Sequence, residues 1–150
     1  MFRNKEGYPD PTAGAAYGNI IREIKKERRA QWRHEEELKC RPKVYVVSKF
    51  AGDIPKNVKA ARRYCRMVIQ QKRIPVASHL LYPQMLNDNV PQERELGTMF
   101  GLALLAQCDE VWCFGTEHSP GMQKEIIEAR RLKKHLRFFT EEMEEVHETH

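Results

Sequence analysis

From Ser119 to Ala129 the chain reads Ser-Pro-Gly-Met-Gln-Lys-Glu-Ile-Ile-Glu-Ala. Ser119 is a favoured N-cap and Pro120 a favoured first helical residue, so a helix should open here with free backbone amides at its mouth, where an anion can be held. Gly121 removes a side chain where something else must come close. One turn on stands Glu125. Its helical neighbours at three and four residues are Gly121, Met122, Glu128 and Ala129, so no Lys or Arg of its own helix can pair with it. It cannot close a capping box with Ser119 either, because the third helical position is Met122. A carboxylate without a helical partner, on a small and apolar stripe beside an anion-binding turn, fits a reactive group facing a pocket. The alternative is a solvated surface glutamate.

Such a group needs a rigid frame, and the pattern from Lys43 onward supplies one. Val44 to Ser48 is a β-branched and aromatic run, followed by a loop and by Pro55 at a helical start. Val58, Ala61, Cys65, Val68 and Ile69 recur at helical spacing, with Lys59, Arg62, Arg63 and Arg66 on the other side. Ile74 to Ser78 reads as a strand, Pro91 to Gln107 as a helix, Glu110 to Gly115 as a strand, Pro120 to Lys134 as a helix and Leu136 to Phe139 as a last strand. This alternation predicts an α/β fold, a Rossmann-like (flavodoxin-like) parallel sheet of four to five strands with helices on both faces. Ligands of such sheets sit beyond the carboxyl ends of the strands, where strand order reverses. The loops to watch are therefore Ser48 to Asp53 and Gly115 to Gly121, with His79 to Asn89 as a wall.

Two segments flank this domain of residues 43–139. In residues 1–42, Gly7, Pro9 and Pro11 argue against regular structure, and Thr12 is the expected N-cap of a charged helix running to about Lys39. Its apolar residues are few, chiefly Ile20, Ile21, Ile24, Trp32 and Leu38, a thin stripe that suits packing on the domain or on a second subunit. In residues 140–150, five acids stand without a Lys or Arg. Thr140 is expected to cap a last, frayed helical turn from Glu141 to His150.

Composition narrows the function classes. The 150 residues are 41% hydrophobic and 31% charged, the make-up of one ordinary globular domain with no need of disulfides or metal to hold a core. No run approaches the roughly 18 to 20 apolar residues of a membrane span. The polar, proline-containing start is unlike a secretory or organellar leader, so a cytoplasmic protein is expected. Cys40, Cys65, Cys108 and Cys113 form no C-x-x-C pair and read as reduced thiols rather than ligands. Neither metal nor cofactor is expected. The net charge of +5 favours anionic partners such as nucleotides. The basic helix faces around Arg62 and Arg130 lack interleaved aromatics and any nucleic-acid motif, so they read as solvated surfaces.

Ser-x-Gly-x-x-x-Glu-x-x-x-Ala after a strand entered through Asp109, together with Val-Tyr-Val-Val-Ser in the first strand, resembles the nucleoside 2-deoxyribosyltransferase superfamily. That group includes 2'-deoxynucleoside 5'-phosphate N-hydrolases and many phage-encoded relatives. The resemblance spans roughly Lys43 to Phe139 and implies N-glycosidic bond chemistry on a nucleoside or nucleotide. It implies that Glu125 is the nucleophile at the sugar C1', that Tyr45 stands beside it, and that Ser119 contacts the sugar or its 5'-phosphate. Ser48 to Gly52 then occupies the place of the ligand-binding first loop. It also implies a homo-oligomer, since pockets in that group often cross a subunit boundary.

The chain departs from that pattern at Gly101, where active members carry an aspartate on the helix before the strand. Gly97 and Gly101 form a small-residue stripe that either lets this helix pack closely or leaves room for a ligand. Glu93 and Glu95 are near in sequence, but neither shares that face cleanly. His79, past the second strand, has a charge adjustable near neutrality and suits an acid or a ligand contact. Tyr82, Gln84 and Asn87 in the same loop could read a base. Three functions follow as expectations: N-glycosidic cleavage or deoxyribosyl transfer through Glu125, a nucleotide-binding or sensing module with catalysis lost at Gly101, and docking through the basic N-terminal helix.

Overall fold

The computed structural model describes residues 3–147. The chain divides into two compact units, Met1–Cys40 and Arg41–His150. In the first, helix α1 spans Pro11–Lys39 and buries none of its residues. Its cap is Asp10 rather than Thr12: the Asp10 carboxylate accepts from the Ala13 amide at 3.0 Å, and Pro11, having no N–H to satisfy, takes the first turn. The preceding residues are more ordered than their prolines suggest. Asn4 Oδ1 accepts from the amides of Glu6 and Tyr8, and Arg3 bridges Pro9.

The second unit runs β1 (Lys43–Val47), α2 (Ile54–Gln70), β2 (Ile74–Val76), two short 3-10 turns (Ser78–Leu80 and Tyr82–Gln84), α3 (Pro91–Gln107), β3 (Glu110–Phe114), α4 (Pro120–Arg131), β4 (His135–Phe139) and β5 (Glu145–Val146). The sheet order is β2-β1-β3-β4-β5. All neighbours are parallel except β5, which runs antiparallel to β4. This is the Rossmann-like α/β sheet expected from the alternation. Strand order reverses between β1 and β3, so the loops after these strands face the ligand end. Asp109 fixes their alignment, its carboxylate accepting from the Lys43 amide at 2.9 Å.

Two expectations give way at the edges. Strand β2 stops at Val76, and Ser78 opens a 3-10 turn instead of ending the strand. The acidic tail is no helix: Thr140 closes a turn, its amide donating to Glu144 O at 2.8 Å and its Oγ1 accepting from the Glu144 amide. The turn passes through Met143 at φ 66 into β5. Charge makes this hairpin, because Arg137 donates to both Glu145 carboxylate oxygens at 2.9 and 2.8 Å, a forked pairing that a helix would forgo. His150, the expected end of that turn, lies outside the described residues.

Alternation along the strands splits the core in two. Tyr45, Val47, Val111 and Cys113 face Leu105 of α3 and Met122, Ile126 and Ala129 of α4. Val44, Val46, Trp112, Phe114 and Phe139 face the other way, toward Tyr64 and Val68 of α2. Tyr64 was not among the apolar positions read from spacing, yet it is a core residue of α2, whereas Ile69 is exposed. The Phe114 ring is stacked between Tyr64 (4.3 Å) and Phe139 (4.8 Å). Phe114→Ala should therefore destabilise the domain by about 3–5 kcal/mol. Chemical denaturation measures this, and a loss under about 1 kcal/mol would show that the stack is not part of the core.

Candidate functional site

Tyr45 is placed by two neighbours, pairing with Val76 on one side and Val111 on the other. Its ring points toward α3 and α4 and is fully buried. Glu125 reaches the same place from α4. Met122, Ile126 and Ala129 are buried, and Glu125 lies three and four residues from Met122 and Ala129, so its side chain leaves the helix on the core-facing stripe. The Tyr45 hydroxyl donates to Glu125 Oε1 at 2.9 Å and lies 2.6 Å from Ser78 Oγ. A phenol has one proton. With that proton committed to Glu125, Ser78 must donate to Tyr45, and the three groups form a directed chain, Ser78 to Tyr45 to Glu125.

The electrostatics follow from burial. Removal from water pushes the Glu125 carboxyl up to about 7, while the bond from Tyr45 pulls the other way. The Tyr45 phenol is raised by burial and by the adjacent Glu125 charge. Cys113, beneath them, rises to about 12 by burial and by the same carboxylate. Glu125 therefore changes charge near neutral pH.

A cavity of about 140 Å³ opens at this carboxylate, its wall including Phe50, Ser78, His79, Tyr82, Glu93 and Arg94 beside Glu125. That volume equals roughly five waters, enough for a sugar-sized group. His79 donates to or accepts from Ser48 Oγ at 2.9 Å, and Phe50 meets its ring edge-on at 6.5 Å. Burial lowers His79 to about 4, so it is neutral at pH 7 and offers a hydrogen-bond contact rather than a charge. A larger cavity of about 520 Å³ lies against α2, between Lys56, Lys59, Arg63 and the β1 and β3 loops. It does not contain Glu125, and the smaller cavity is the one with paired reactive groups.

The residues singled out from sequence separate into two sets. Glu125 and His79 line the smaller cavity; Tyr45 and Ser48 stand behind them, hydrogen-bonded to Glu125 and His79 respectively, and Ser48 lines the larger cavity. Gly52, Ser119 and Gly121 do not line the smaller cavity. Gly52 turns its loop at φ +100, with nothing within 4 Å of where a Cβ would lie, and the Ser119 hydroxyl accepts from the Met122 amide at 3.3 Å, serving as the helix cap. Of the neighbouring loop, Tyr82 reaches the cavity; Gln84 donates to Leu80 O, and Asn87 Oδ1 accepts from Asn89 N. Gly101 is closely packed: a Cβ there would lie 3.0 Å from both the Tyr45 and Ser78 hydroxyls. Its lack of a side chain lets α3 approach this pair and leaves no room for a ligand. Sequence reasoning missed Ser78, Phe50 and the cavity-lining position of Glu93; Ser78 carries no signal beyond its place next to His79.

The family profile that matches residues 42–139 is described as Domain of unknown function (DUF7768). The chain belongs to this family. No curated protein matches the DUF7768 chain. Among solved structures, it is similar to the 2-deoxyribosyltransferase from the psychrotolerant bacterium Bacillus psychrosaccharolyticus, with a TM-score of 0.56 and 14% identity over 65% of this chain and 72% of that one. The DUF7768 domain thus has the deoxyribosyltransferase fold. No helix among the described residues is long and apolar enough to cross a membrane.

Burying Glu125 has a stability consequence of definite sign. Its folded pKa, about 7, exceeds the ordinary 4.5, so the folded state binds the proton more tightly and stability falls as pH rises from about 4.5 to 7. Glu125→Gln removes that penalty. The variant should be more stable than the wild type at pH 8 by roughly 1–3 kcal/mol, with the difference gone near pH 4.5. Denaturation at the two pH values measures it, and a pH-independent difference would contradict the burial.

Proposed function

We propose that this protein acts on a nucleoside or nucleotide, cleaving its N-glycosidic bond or transferring its deoxyribosyl group, with Glu125 as nucleophile. The observation that carries the reading is the Tyr45 to Glu125 hydrogen bond of 2.9 Å at the wall of a sugar-sized cavity. A carboxylate is a weak nucleophile in water, where solvent shields both oxygens. Here one oxygen is held by Tyr45 and the other is left for C1'. In the first step Glu125 Oε bonds to C1' while the C1'–N bond breaks, its electron pair leaving with the base, which takes up a proton. In the second step water, or another base, displaces Glu125 from C1'. Tyr45 orients the carboxylate throughout, and neutral His79 with Ser48 presents hydrogen-bonding groups to the part of the ligand that lies toward Phe50.

The similarity to a 2-deoxyribosyltransferase supports the reading at the level of fold. Within this proposal Ser119 and Gly121 serve through the amide-rich mouth of α4, and Gly52 through the shape of its loop. The exposed apolar residues of α1, Ile20, Ile24 and Trp32 among them, are the surface for a second copy, giving a homo-oligomer. Closure at Gly101 favours one alternative, a module that binds or senses a nucleotide without turnover. Such a module would gain thermal stability from nucleotide in proportion to occupancy and release no base.

The test is incubation of the wild type and Glu125→Ala with a panel of nucleosides, nucleotides and NAD-like compounds, free base being followed by chromatography. Base release should fall by about 10³-fold or more in the variant. Base release that is absent, or equal in both proteins, would refute it.

A further inference from the structure

We propose that Glu93 is the second catalytic carboxylate of this site, giving a proton to the departing base and then taking one from the attacking water. The inference rests on the N-glycosidic reading above and supplies the step it leaves open, the fate of the proton. Glu93 lies in the first turn of α3 and lines the same cavity as Glu125, which belongs to α4. The two carboxylates therefore enter one sugar-sized space from different helices. Gly97, one turn further along α3, lines the cavity too; a Cβ there would meet only Leu86 Cδ1, at 3.6 Å. With no side chain at Gly97, backbone alone forms that part of the wall between Glu93 and Gly101. Glu93 thus reaches the cavity although its spacing from Gly101 argued against it, whereas Glu95 does not line it.

Several other acidic or protic groups near the cavity are excluded or engaged. A carboxylate at position 101 is excluded by the Tyr45 and Ser78 hydroxyls, each 3.0 Å from the Cβ it would need. The Tyr45 proton is committed to Glu125. His79 is neutral at pH 7 because burial holds it at about 4. Asp88 is exposed and lies 4.0 Å from Arg94 Nε, which donates to Asp88 O. Glu93 has no hydrogen bond or ion pair among the described residues, so its carboxyl is available to a ligand.

The proton balance closes over the two steps. As Glu125 bonds to C1', the C1'–N electron pair goes to the base and the Glu93 carboxyl proton follows it, leaving Glu93 ionised. Water then bonds to C1', the C1'–Oε bond returns its pair to Glu125, and the water's second hydrogen passes to Glu93. The sum is nucleoside plus water giving free base and sugar, with both carboxyl groups restored.

A base that is already cationic leaves without being protonated, and this provides the test. Wild type and Glu93→Gln are compared on a purine 2'-deoxynucleoside and on its N7-methyl cation. For a protein that releases only pyrimidines, the pair is 2'-deoxyuridine and its 5-nitro analogue, whose base leaves as a stable anion. Thermal unfolding verifies that the variant is folded. The expected result is a loss in kcat on the order of 10²–10⁴-fold for the first substrate of a pair and a much smaller loss for the second. An equal loss on both substrates would reduce Glu93 to a binding or structural group, and no loss on either would remove it from the site. If the wild type releases no base from any of the four, the N-glycosidic reading fails and this inference with it.

Discussion

One hydrogen bond joins residues 80 positions apart, from Tyr45 on a central strand to Glu125 on the last helix. Much of the surrounding structure can be understood as what is required to make it. The strand must be central for the phenol to be buried, with β2 and β3 on either side. Helix α4 must turn its small, apolar stripe inward to bring a carboxylate to a place without a counter-charge. Helix α3 must come close enough to cover the phenol, which is why Gly101 has no side chain. Ser78 then completes the polar chain by donating to the one acceptor that Tyr45 has left. Each element is ordinary, and their convergence leaves an acid that ionises near neutrality instead of near pH 4.5.

That arrangement opposes stability. A carboxylate partly withdrawn from water and answered by a single neutral donor is less favourable than the same group in solvent, and a core made only for stability would put an apolar side chain there. The opposite face of the sheet illustrates the contrast. There Phe114 lies between Tyr64 and Phe139, and the Trp112 ring is covered by the Arg137 guanidinium at 4.4 Å, with that cation in turn held by Glu145. One face of the sheet is thus packed for cohesion, and the other gives up some cohesion to hold a reactive group.

The fold was legible because β1, β3 and α2 carry clear patterns, and because Ser119 with Pro120 and Pro91 mark the starts of α4 and α3, where a cap and a residue without an N–H are favoured. Glu125 was legible through an absence, since a glutamate with no basic neighbour one turn away has nowhere to place its charge on its own helix. The tail was misread because local propensity was weighed without Arg137, whose pairing with Glu145 is a contact between strands. Likewise, Asp10 rather than Thr12 caps α1 because Pro11 already suits the first turn. Ser78 and Glu93 were beyond reach for a different reason. Their roles depend on which helix faces which loop, and one-dimensional spacing does not contain that relation. The stripe at Gly97 and Gly101 left two meanings open, and only the hydroxyls 3.0 Å from a Cβ at 101 decide for close packing.

The account stands on the condition of one carboxyl group, and that can be observed without knowing the substrate. In protein carrying ¹³C at the glutamate side-chain carboxyls, Glu125 should titrate near pH 7, and Tyr45→Phe, which deletes the donor that favours the ionised form, should move that midpoint higher. A Glu125 signal that titrates near 4.5, or one that is unmoved by the loss of the phenol, would mean that the carboxylate faces water and that the site described is not formed.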